Sequence, residues 1–316
     1  PDAVVVSPSG AAFDRGGLSM SFLKKLFPWR LCRVADAPEA MPVPAHPEFV
    51  DSRTCGLIDA VQAGWYLNDS GELLRGFAIR PGDTVLDFGC GEGGASLFAA
   101  RQGSEVIFAD TDAPKIAALE GRMPGAGARA WRGIVCGDIC KGERLPLADG
   151  SVTRVIAMEV LEHVSNPGKV LDELVRVAAP GALFLVSVPD PAGEALQQIV
   201  APPGHFQPPN HIHIFSREAF AELLADAGLL VEQAHYSGFY WSLWMCFYWT
   251  IARADSMQNP GATRDAIGPP YHPLLDQWAR TWQTLIDLPE GASLRSALDE
   301  FMPKSQTLIA RKPGTS

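Results

Sequence analysis

The chain has 316 residues, of which 47% are hydrophobic, and its 26 basic and 36 acidic residues give a formal net charge of −10. A chain of this length can bury a large hydrophobic core, and its composition excludes a disordered protein, a collagen and a disulfide-stabilised mini-protein. The acidic charge argues against a general nucleic-acid-binding protein, although it leaves room for a local basic patch.

The cysteines and the apolar segments indicate the compartment. The six cysteines are scattered without a C-x-x-C pair, which is typical of reduced thiols rather than of a disulfide framework. No segment reaches the roughly 18 uncharged apolar residues of a membrane-spanning helix, and no signal peptide opens the chain. We therefore expect a cytoplasmic protein, either free or peripheral to the inner face of the membrane.

Residues 1–49 are rich in Pro, Ala and Gly, which predicts an extension that is partly irregular. Met20 is a plausible start of the reading frame, and we expect little structure before it. Between residues 22 and 33, aromatic and leucine residues are mixed with Lys and Arg. This segment is interpreted either as an interfacial amphipathic helix or as an arm that packs on its own domain or stays loose.

From about residue 50 onward, strand signals alternate with helical stretches. We predict helices over 57–67, 73–79, 95–101, 113–120, 170–177 and 220–227. We predict strands over 84–88, 105–109, 131–136, 152–158, 182–188, 229–235 and 305–310. Such alternation is typical of an α/β fold in which helices cover both faces of a parallel sheet.

The segment 237–303 breaks this pattern, because it is rich in Trp, Tyr and Pro. Since one more strand follows, we predict an α-rich insertion before the last strand, and a main domain formed by 50–236 together with 304–316. The run from Phe239 to Trp249 would be apolar nearly all round as a helix. It is interpreted as the core of the insertion, packed on the Leu and Trp residues of 274–282, or as the wall of a binding pocket.

A glycine-rich loop follows the strand predicted over 84–88. Its spacing, Gly89-x-Gly91-x-x-Gly94, fits a nicotinamide dinucleotide site. Asp87 stands two residues before the first glycine, however, where a carboxylate would oppose a pyrophosphate and would suit an ammonium or sulfonium group. We therefore favour a ligand with a positive charge over a dinucleotide.

Further acids follow the neighbouring strands. Asp110 closes the next strand, about 20 residues after the loop, at the position from which a carboxylate accepts the two hydroxyls of a ribose. Asp112 is an alternative ribose ligand, although we favour Asp110. Asp138 and Ile139 follow the third strand, where an acid can bind an adenine amino group and an apolar side chain can cover the ring.

In order and spacing these motifs, together with residues 145–152, 158–164 and 179–183, resemble those of class I S-adenosylmethionine-dependent methyltransferases. The resemblance implies a Rossmann-like, seven-stranded, mostly parallel sheet. It also implies how S-adenosylmethionine is held. The expected cofactor-binding residues are Asp87, Gly89 and Gly91 at the methionine, Asp110 at the ribose, and Asp138 with Ile139 at the adenine, with Phe88, Cys90, Thr111 and Glu159 beside them.

Glu159, Glu162 and His163 are spaced so that they would share one face of a helix at the carboxyl edge of the sheet. Two carboxylates and an imidazole suit a divalent ion such as Mg²⁺. The run resembles that of two metal-using groups, the ubiquinone-pathway O-methyltransferases and the small-RNA 3′-terminal 2′-O-methyltransferases. In the second group a later histidine completes the site, and here His211 is the best match, with His213 as a rival.

The same residues have metal-free interpretations. His163 would then be a general base or a structural residue, and Glu162 would cap or pair locally. His205 lies in a loop that we expect to face the substrate and is a second candidate base, and His211 is also a candidate catalytic residue. Each histidine is alternatively a hydrogen-bonded structural residue.

The resemblance implies methyl transfer. We expect O-methylation of a small-molecule or glycan-pathway hydroxyl group, with residues 237–303 as a lid over the acceptor and with Trp241 and Trp244 binding it. The alternatives are a quinone or lipid-like acceptor at a membrane surface, and a non-catalytic S-adenosylmethionine-binding protein. The acidic charge argues against RNA, and Asp87 argues against a nicotinamide oxidoreductase.

Overall fold

A computed structural model describes residues 51–254 and 267–314. The segment 22–33 and the plausible start at Met20 therefore lie outside the described residues. The helices are α1 (Ser52–Gln62), α2 (Gly94–Arg101), α3 (Ala113–Arg122), α4 (Pro167–Val177), α5 (Pro191–Val200), α6 (Arg217–Asp226), α7 (Phe239–Ala254), α8 (Pro273–Ile286) and α9 (Gly291–Phe301). The strands are β1 (Trp65–Leu67), β2 (Glu72–Leu74), β3 (Phe77–Ala78), β4 (Thr84–Phe88), β5 (Glu105–Asp110), β6 (Ala130–Val135), β7 (Val152–Met158), β8 (Ala178–Pro189), β9 (Leu230–Ser237) and β10 (Ser305–Arg311).

Seven of the strands form the predicted sheet, in the order β6-β5-β4-β7-β8-β10-β9. The pairs from β6 to β8 are parallel, and β10 runs antiparallel to both β8 and β9. The carboxyl ends of β4, β5, β6 and β7 therefore meet at one edge of the sheet. The seven-stranded, Rossmann-like fold predicted from the sequence is confirmed.

The central strands are apolar on both faces because both faces are covered. Leu86 of β4 and Ile107 of β5 belong to the core on one side of the sheet, and Val85 and Val106 to the core on the other. The sequence of a parallel strand that is buried on both faces is a continuous apolar run. For this reason β4 matches its predicted bounds.

Of the two helices predicted at the start of the domain, the first overlaps α1 but has the wrong bounds, and the second is wrong. The helix over 57–67 ends at Gln62 and is followed by β1, and the segment 73–79 forms β2 and β3. Gly76, at φ +95°, turns the chain between these two strands, and its N–H donates to Glu72 Oε1 at 3.0 Å. Glycine adopts this positive φ without steric conflict, and a helix cannot continue through it.

Helices α7, α8 and α9 form the α-rich insertion between β9 and β10. Their shared core contains Tyr240, Trp244 and Trp282, each at most 1% exposed. Helix α1 packs on the same core, because Trp282 Nε1–H donates to Asp59 Oδ1 at 2.9 Å and Tyr240 O–H donates to the Ser52 carbonyl at 2.8 Å. Within the described residues, we find no helix with both the length and the apolar character needed to cross a membrane.

Candidate active site

A cavity of about 1,510 Å³ opens at the carboxyl ends of β4, β5, β6 and β7. Most of the residues predicted to bind a cofactor or a metal, or to act in catalysis, line it. These are Phe88, Gly89, Gly91, Asp110, Thr111, Asp138, Ile139, Glu159, Glu162, His163, His205 and His211. The structure thus brings the predicted donor residues and the predicted acid and histidine residues to one space.

The loop after β4 is shaped by glycine. Gly89 has φ +71° and Gly91 has φ +50°. A Cβ atom at Gly89 would lie 2.4 Å from Val160 Cγ2, so no larger residue fits this position without a shift of its neighbour. The backbone can therefore approach a ligand closely at both glycines.

Asp110 joins this loop to the end of β5. Its Oδ2 accepts from Gly91 N–H at 3.0 Å, and its Oδ1 accepts from Asp112 N–H at 3.0 Å. Asp112 instead caps α3, where its side chain accepts from Lys115 N–H at 3.2 Å. Of the two acids that the sequence left open, Asp110 is the one that lines the cavity.

Asp87 and Cys90 differ from the prediction, because neither lines the cavity. Asp87 is 3% exposed, and its Oδ2 accepts from Ser96 Oγ–H at 2.5 Å. Burial, with a smaller contribution from the charge of Asp110, raises the pKa of Asp87 to about 6. The Asp87 carboxyl group thus lies beneath the loop and against α2, rather than facing a ligand directly.

The turn after β7 also differs from the prediction. Residues 161–163 form a turn, and α4 begins only at Pro167, where the Asn166 side chain caps it by accepting from Lys169 N–H. Glu159 has φ +56°, a conformation that a non-glycine residue adopts only when its surroundings hold it. The shared helical face predicted for the acids and His163 is therefore wrong, although these residues still meet in the cavity.

Glu159 has a counter-ion that the sequence analysis missed. The Lys304 ammonium, just before β10, forms an ion pair with Glu159 Oε2, and Ser187 Oγ–H donates to Oε1 at 3.2 Å. Burial, the largest single influence, would raise the pKa of Glu159, but the charge and the hydrogen bond of Lys304, with smaller contributions from His211 and Ser305, together outweigh burial and lower this pKa. The Glu159 carboxylate is therefore already bound by Lys304 and Ser187, and it is less suited to binding a metal than predicted.

Glu162 is fully buried, and neither of its carboxylate oxygens has a hydrogen-bond partner within the described part of the chain. Burial, and next the charge of Glu159, raises the pKa of Glu162 well above its ordinary value. His163 Nε2 lies 3.6 Å from Glu162 Oε1. A buried carboxyl group without a partner is unfavourable, so this position is built to receive a cation or a proton.

The orientation of His163 follows from its other nitrogen. Nδ1 lies 3.1 Å from the Pro209 carbonyl, which can only accept, so Nδ1 carries the proton. In the neutral ring Nε2 is then left with a free lone pair. Burial, and next the nearby His211, lowers the pKa of His163, which favours this neutral form.

Two further histidines complete a cluster. One ligand atom from each of Glu162, His163 and His211 lies within 4.8 Å of the others, and the same holds for Glu194, His205 and His211. The rings of His205 and His211 are 4.4 Å apart between centroids. Burial, and next His211, lowers the pKa of His205 to about 4. The rival His213 donates from Nε2 to the Val164 carbonyl at 2.9 Å and does not line the cavity.

The insertion contributes to the cavity through residues other than those predicted. Trp244 is completely buried in the insertion core and lines no part of the cavity, because α7 turns its ring towards Tyr248, 5.9 Å away between centroids. Met245, the next residue, and Trp249, five positions after Trp244 along α7, line the cavity instead. Trp241 lines a separate pocket of about 230 Å³ that shares Glu159 and Lys304 with the main cavity.

Comparison with known proteins adds to this geometry. A family model described as a methyltransferase domain matches residues 66–234, more than half of the chain. The chain belongs to the class I S-adenosylmethionine-dependent methyltransferases. A probable S-adenosylmethionine-dependent methyltransferase of Mycolicibacterium smegmatis is 34% identical over 153 residues, which cover 48% of this chain and 53% of the relative. A ubiquinone biosynthesis O-methyltransferase of Hahella chejuensis is 39% identical over 115 residues, which cover 35% of this chain and 45% of the relative.

Among solved structures, this methyltransferase is similar to the geranyl diphosphate C-methyltransferase of Streptomyces coelicolor. The TM-score is 0.50 at 19% identity, over 85% of this chain and 84% of the other. This similarity concerns the fold alone. The match to the first three sequence relatives spans between 38% and 53% of their own length.

Proposed function

We propose that this protein transfers a methyl group from S-adenosylmethionine to a hydroxyl group of a small molecule or a glycan precursor, with a divalent cation at the acceptor end of the site. The observation that carries the proposal is the continuity of the cavity, because Asp110 at one end and the buried Glu162 at the other line the same space. A donor and an acceptor bound there would lie side by side, which is the main requirement for transfer.

The donor end fits S-adenosylmethionine. Gly89 and Gly91 allow close backbone approach, the Asp110 carboxylate offers acceptors for ribose hydroxyls, and Ile139 gives the adenine an apolar wall. When bound, S-adenosylmethionine supplies a sulfonium methyl group that is already activated. The residues of this chain then have to orient the acceptor, exclude water and take up the hydroxyl proton.

The acceptor end fits a divalent cation by charge. Three carboxyl groups, those of Glu159, Glu162 and Glu194, share this end with the ammonium of Lys304. Fully ionised, they leave two negative charges uncompensated in a desolvated setting, which is unfavourable. A cation such as Mg²⁺ would balance them. When bound, it supplies Lewis-acid chemistry that lowers the pKa of a nearby hydroxyl group.

The ligands that we propose are Glu162, His163 and His211, without Glu159. Glu162 offers two oxygens that lack partners in the described chain, and His163 offers Nε2. Glu159 is already neutralised by Lys304. His205 is not among these ligands, and its buried Nε2 has no hydrogen-bond partner in the described chain, so it is the imidazole left to accept the acceptor's proton.

The test of the cation is removal and replacement. We expect a chelator to abolish methylation of a panel of phenols and sugars, and Mg²⁺ or Mn²⁺ to restore it. Glu162→Gln should abolish Mn²⁺ binding measured by calorimetry while leaving S-adenosylhomocysteine binding intact. The matched control is Glu222→Gln on the exposed face of α6. Full turnover in excess chelator, together with no Mn²⁺ binding, would reject the cation.

A quinone-like acceptor is the second candidate. The pocket beside Lys304 has aromatic walls from Trp65, Tyr66 and Trp241, and aromatic walls suit a flat ring. The similarity to a ubiquinone biosynthesis O-methyltransferase supports the same acceptor class. Preference for phenols over sugars in the panel would favour this candidate.

A non-catalytic S-adenosylmethionine-binding protein is the less favoured proposal. The cavity is larger than the roughly 300–1,000 Å³ of common ligand pockets, so it has room for an acceptor beside the donor. Binding of S-adenosylhomocysteine without methylation of any acceptor in the panel would favour this alternative.

A further inference from the structure

A chain of buried hydrogen bonds leads from the insertion to the cavity. Trp249 Nε1–H on α7 donates to Gln197 Oε1 at 3.2 Å. Gln197 Nε2–H donates to Glu194 Oε1 at 3.0 Å, both on α5. Glu194 Oε2 lies 2.9 Å from His211 Nδ1. We call these four residues the Trp249–His211 chain.

Three of the four members of this chain are shielded from water, and His211 is partly exposed. Trp249 is 2% exposed, Gln197 is 3% exposed and Glu194 is 2% exposed. Water therefore does not compete for these hydrogen bonds, and each polar atom depends on its neighbour in the chain. A reversed donor or acceptor anywhere along it would leave a buried polar group unpaired, which is costly.

The direction of every hydrogen bond follows from Trp249. An indole N–H can only donate, so Gln197 must present its oxygen to Trp249 and its amide N–H to Glu194. Glu194 therefore accepts at Oε1. A carboxylate at this position could only accept at Oε2 as well, and the donor would then be His211 Nδ1–H.

We propose that the Trp249–His211 chain is a positioning device that holds His211 with its proton on Nδ1, so that Nε2 is the atom His211 presents to the ligand in the cavity. Glu194, Gln197 and Trp249 are positioning residues, because they act on the ligand only through His211. A carboxylate behind a ligating imidazole fixes its tautomer and ring orientation.

The proposal separates the two candidate metal groups. His211 Nδ1 cannot both donate to Glu194 and bind a metal shared with Glu194. The cation therefore binds on the Nε2 side with Glu162 and His163, and Glu194 stays outside its direct ligands. The role of His211 as a metal ligand rests on the proposed function. The prediction that its proton lies on Nδ1 does not.

The tautomer is measured directly by NMR. In chelator-treated protein with ¹⁵N-labelled histidine, a long-range ¹H–¹⁵N spectrum shows which ring nitrogen carries the proton. The chain has seven histidines, and the His211 signals are those that the His211→Asn variant lacks. We expect a proton on Nδ1. A proton on Nε2 would overturn the proposal, whatever the outcome for methylation.

Two variants break the chain at different points. Glu194→Gln offers one acceptor to two donors, so it cannot satisfy both Gln197 and His211. Trp249→Phe keeps an aromatic ring beside His205. It removes the N–H donor that fixes the direction of the hydrogen bonds along the chain. Trp278→Phe is the matched control, because it removes a Trp N–H that donates elsewhere, to the Tyr240 carbonyl at 3.0 Å.

We expect Glu194→Gln to lose the single tautomer and to lower Mn²⁺ affinity about 10- to 100-fold, as loss of a carboxylate behind a ligating histidine does. Trp249→Phe should give a mixture of tautomers, and Trp278→Phe should change neither readout. Wild-type tautomer and wild-type Mn²⁺ affinity in Glu194→Gln would overturn the proposal. A tautomer that depends on Glu194 in a protein that binds no Mn²⁺ would support the chain and reject the cation of the proposed function.

Discussion

The Asp110 carboxylate is held in place by hydrogen bonds from the loop backbone. We therefore expect its loss to weaken binding of the methyl donor. Asp110→Ala removes a charged acceptor, and hydrogen bonds to charged groups contribute roughly 1.5–3 kcal/mol each. We expect the affinity for S-adenosylhomocysteine to fall about tenfold or more, as measured by calorimetry.

The control for Asp110 is its neighbour. Asp112→Ala removes the cap of α3, which costs about 0.5–2 kcal/mol of stability, but should leave the affinity for S-adenosylhomocysteine unchanged. If Asp112→Ala lost the affinity and Asp110→Ala kept it, the ribose would have to be assigned to Asp112.

At the residue scale, the sequence predicts what local spacing determines. Gly89, Gly91 and Asp110 were predictable because strand, loop and acid follow one another within a short stretch. Lys304 was not, because its partner Glu159 is 145 positions away. Glu194 was missed for the same reason, since its contact with His211 depends on how α5 packs beside the loop that carries the histidine.

At the scale of elements, Asp59 makes one of the polar contacts between α1 and α8, because it accepts from Trp282. Burial, and next the charge of Asp299, raises its pKa from an ordinary 3.8 to about 7. The folded protein therefore keeps a proton that the unfolded chain releases between these two values. Its contribution to stability is complete below the ordinary pKa and is lost as the pH rises through about 7.

Asp59→Asn removes this titration and keeps an oxygen that can accept from Trp282. Compared with this variant, the wild type should lose up to a few kcal/mol of unfolding free energy as the pH is raised from about 4 to above 7. Urea unfolding across this range measures the difference. Asp69→Asn, at an exposed turn, is the control and should follow the wild type. Parallel pH profiles for Asp59→Asn and the wild type would contradict the assignment.

Helices and strands were predicted well where burial determines the hydrophobic pattern of the sequence. They were predicted poorly where a turn interrupts that pattern. β4 and β7 match their predicted bounds, because both are apolar strands buried in the sheet. The segment 73–79 is equally apolar, but Gly76 divides it into two strands, and the periodicity of so short a run does not distinguish a helix from a hairpin. At Glu159 the spacing suits a helical face, yet its positive φ comes from tertiary contacts such as that with Lys304.

At the scale of the whole molecule, five of the eight tryptophans lie in α7 and α8. Tryptophan fluorescence therefore reports mainly on the insertion, whereas circular dichroism reports on all the helices and the sheet. The insertion shares its core with α1, and Lys304 at the start of β10 forms an ion pair with the turn after β7. We expect both signals to change in one transition with the same urea midpoint.

An insertion that folds as a separate unit would give a different result. Its fluorescence transition would then precede or follow the change in circular dichroism. The unfolding of Trp282→Phe, which removes the donor to Asp59, should shift both midpoints together. A shift of the fluorescence midpoint alone would contradict the single transition.

The resemblance to a family predicted more of the whole molecule than the spacing of elements did. Alternating strands and helices predict a parallel sheet, and the resemblance implies seven strands, but neither predicts that β10 lies between β8 and β9. The contact of α1 with the insertion was not predicted, because the two segments are far apart in the sequence and neither carries a motif.

The central place of β10 also sets an order of events during synthesis. β10 follows every other strand in the chain, yet it pairs with β8 and β9 on both of its sides. A nascent chain on the ribosome can therefore assemble the glycine loop and Asp110 while β9 still lacks its partner β10 and Glu159 still lacks Lys304. We therefore expect the donor end of the cavity to form before the acceptor end, which gains its ammonium only once Lys304 and β10 have left the exit tunnel.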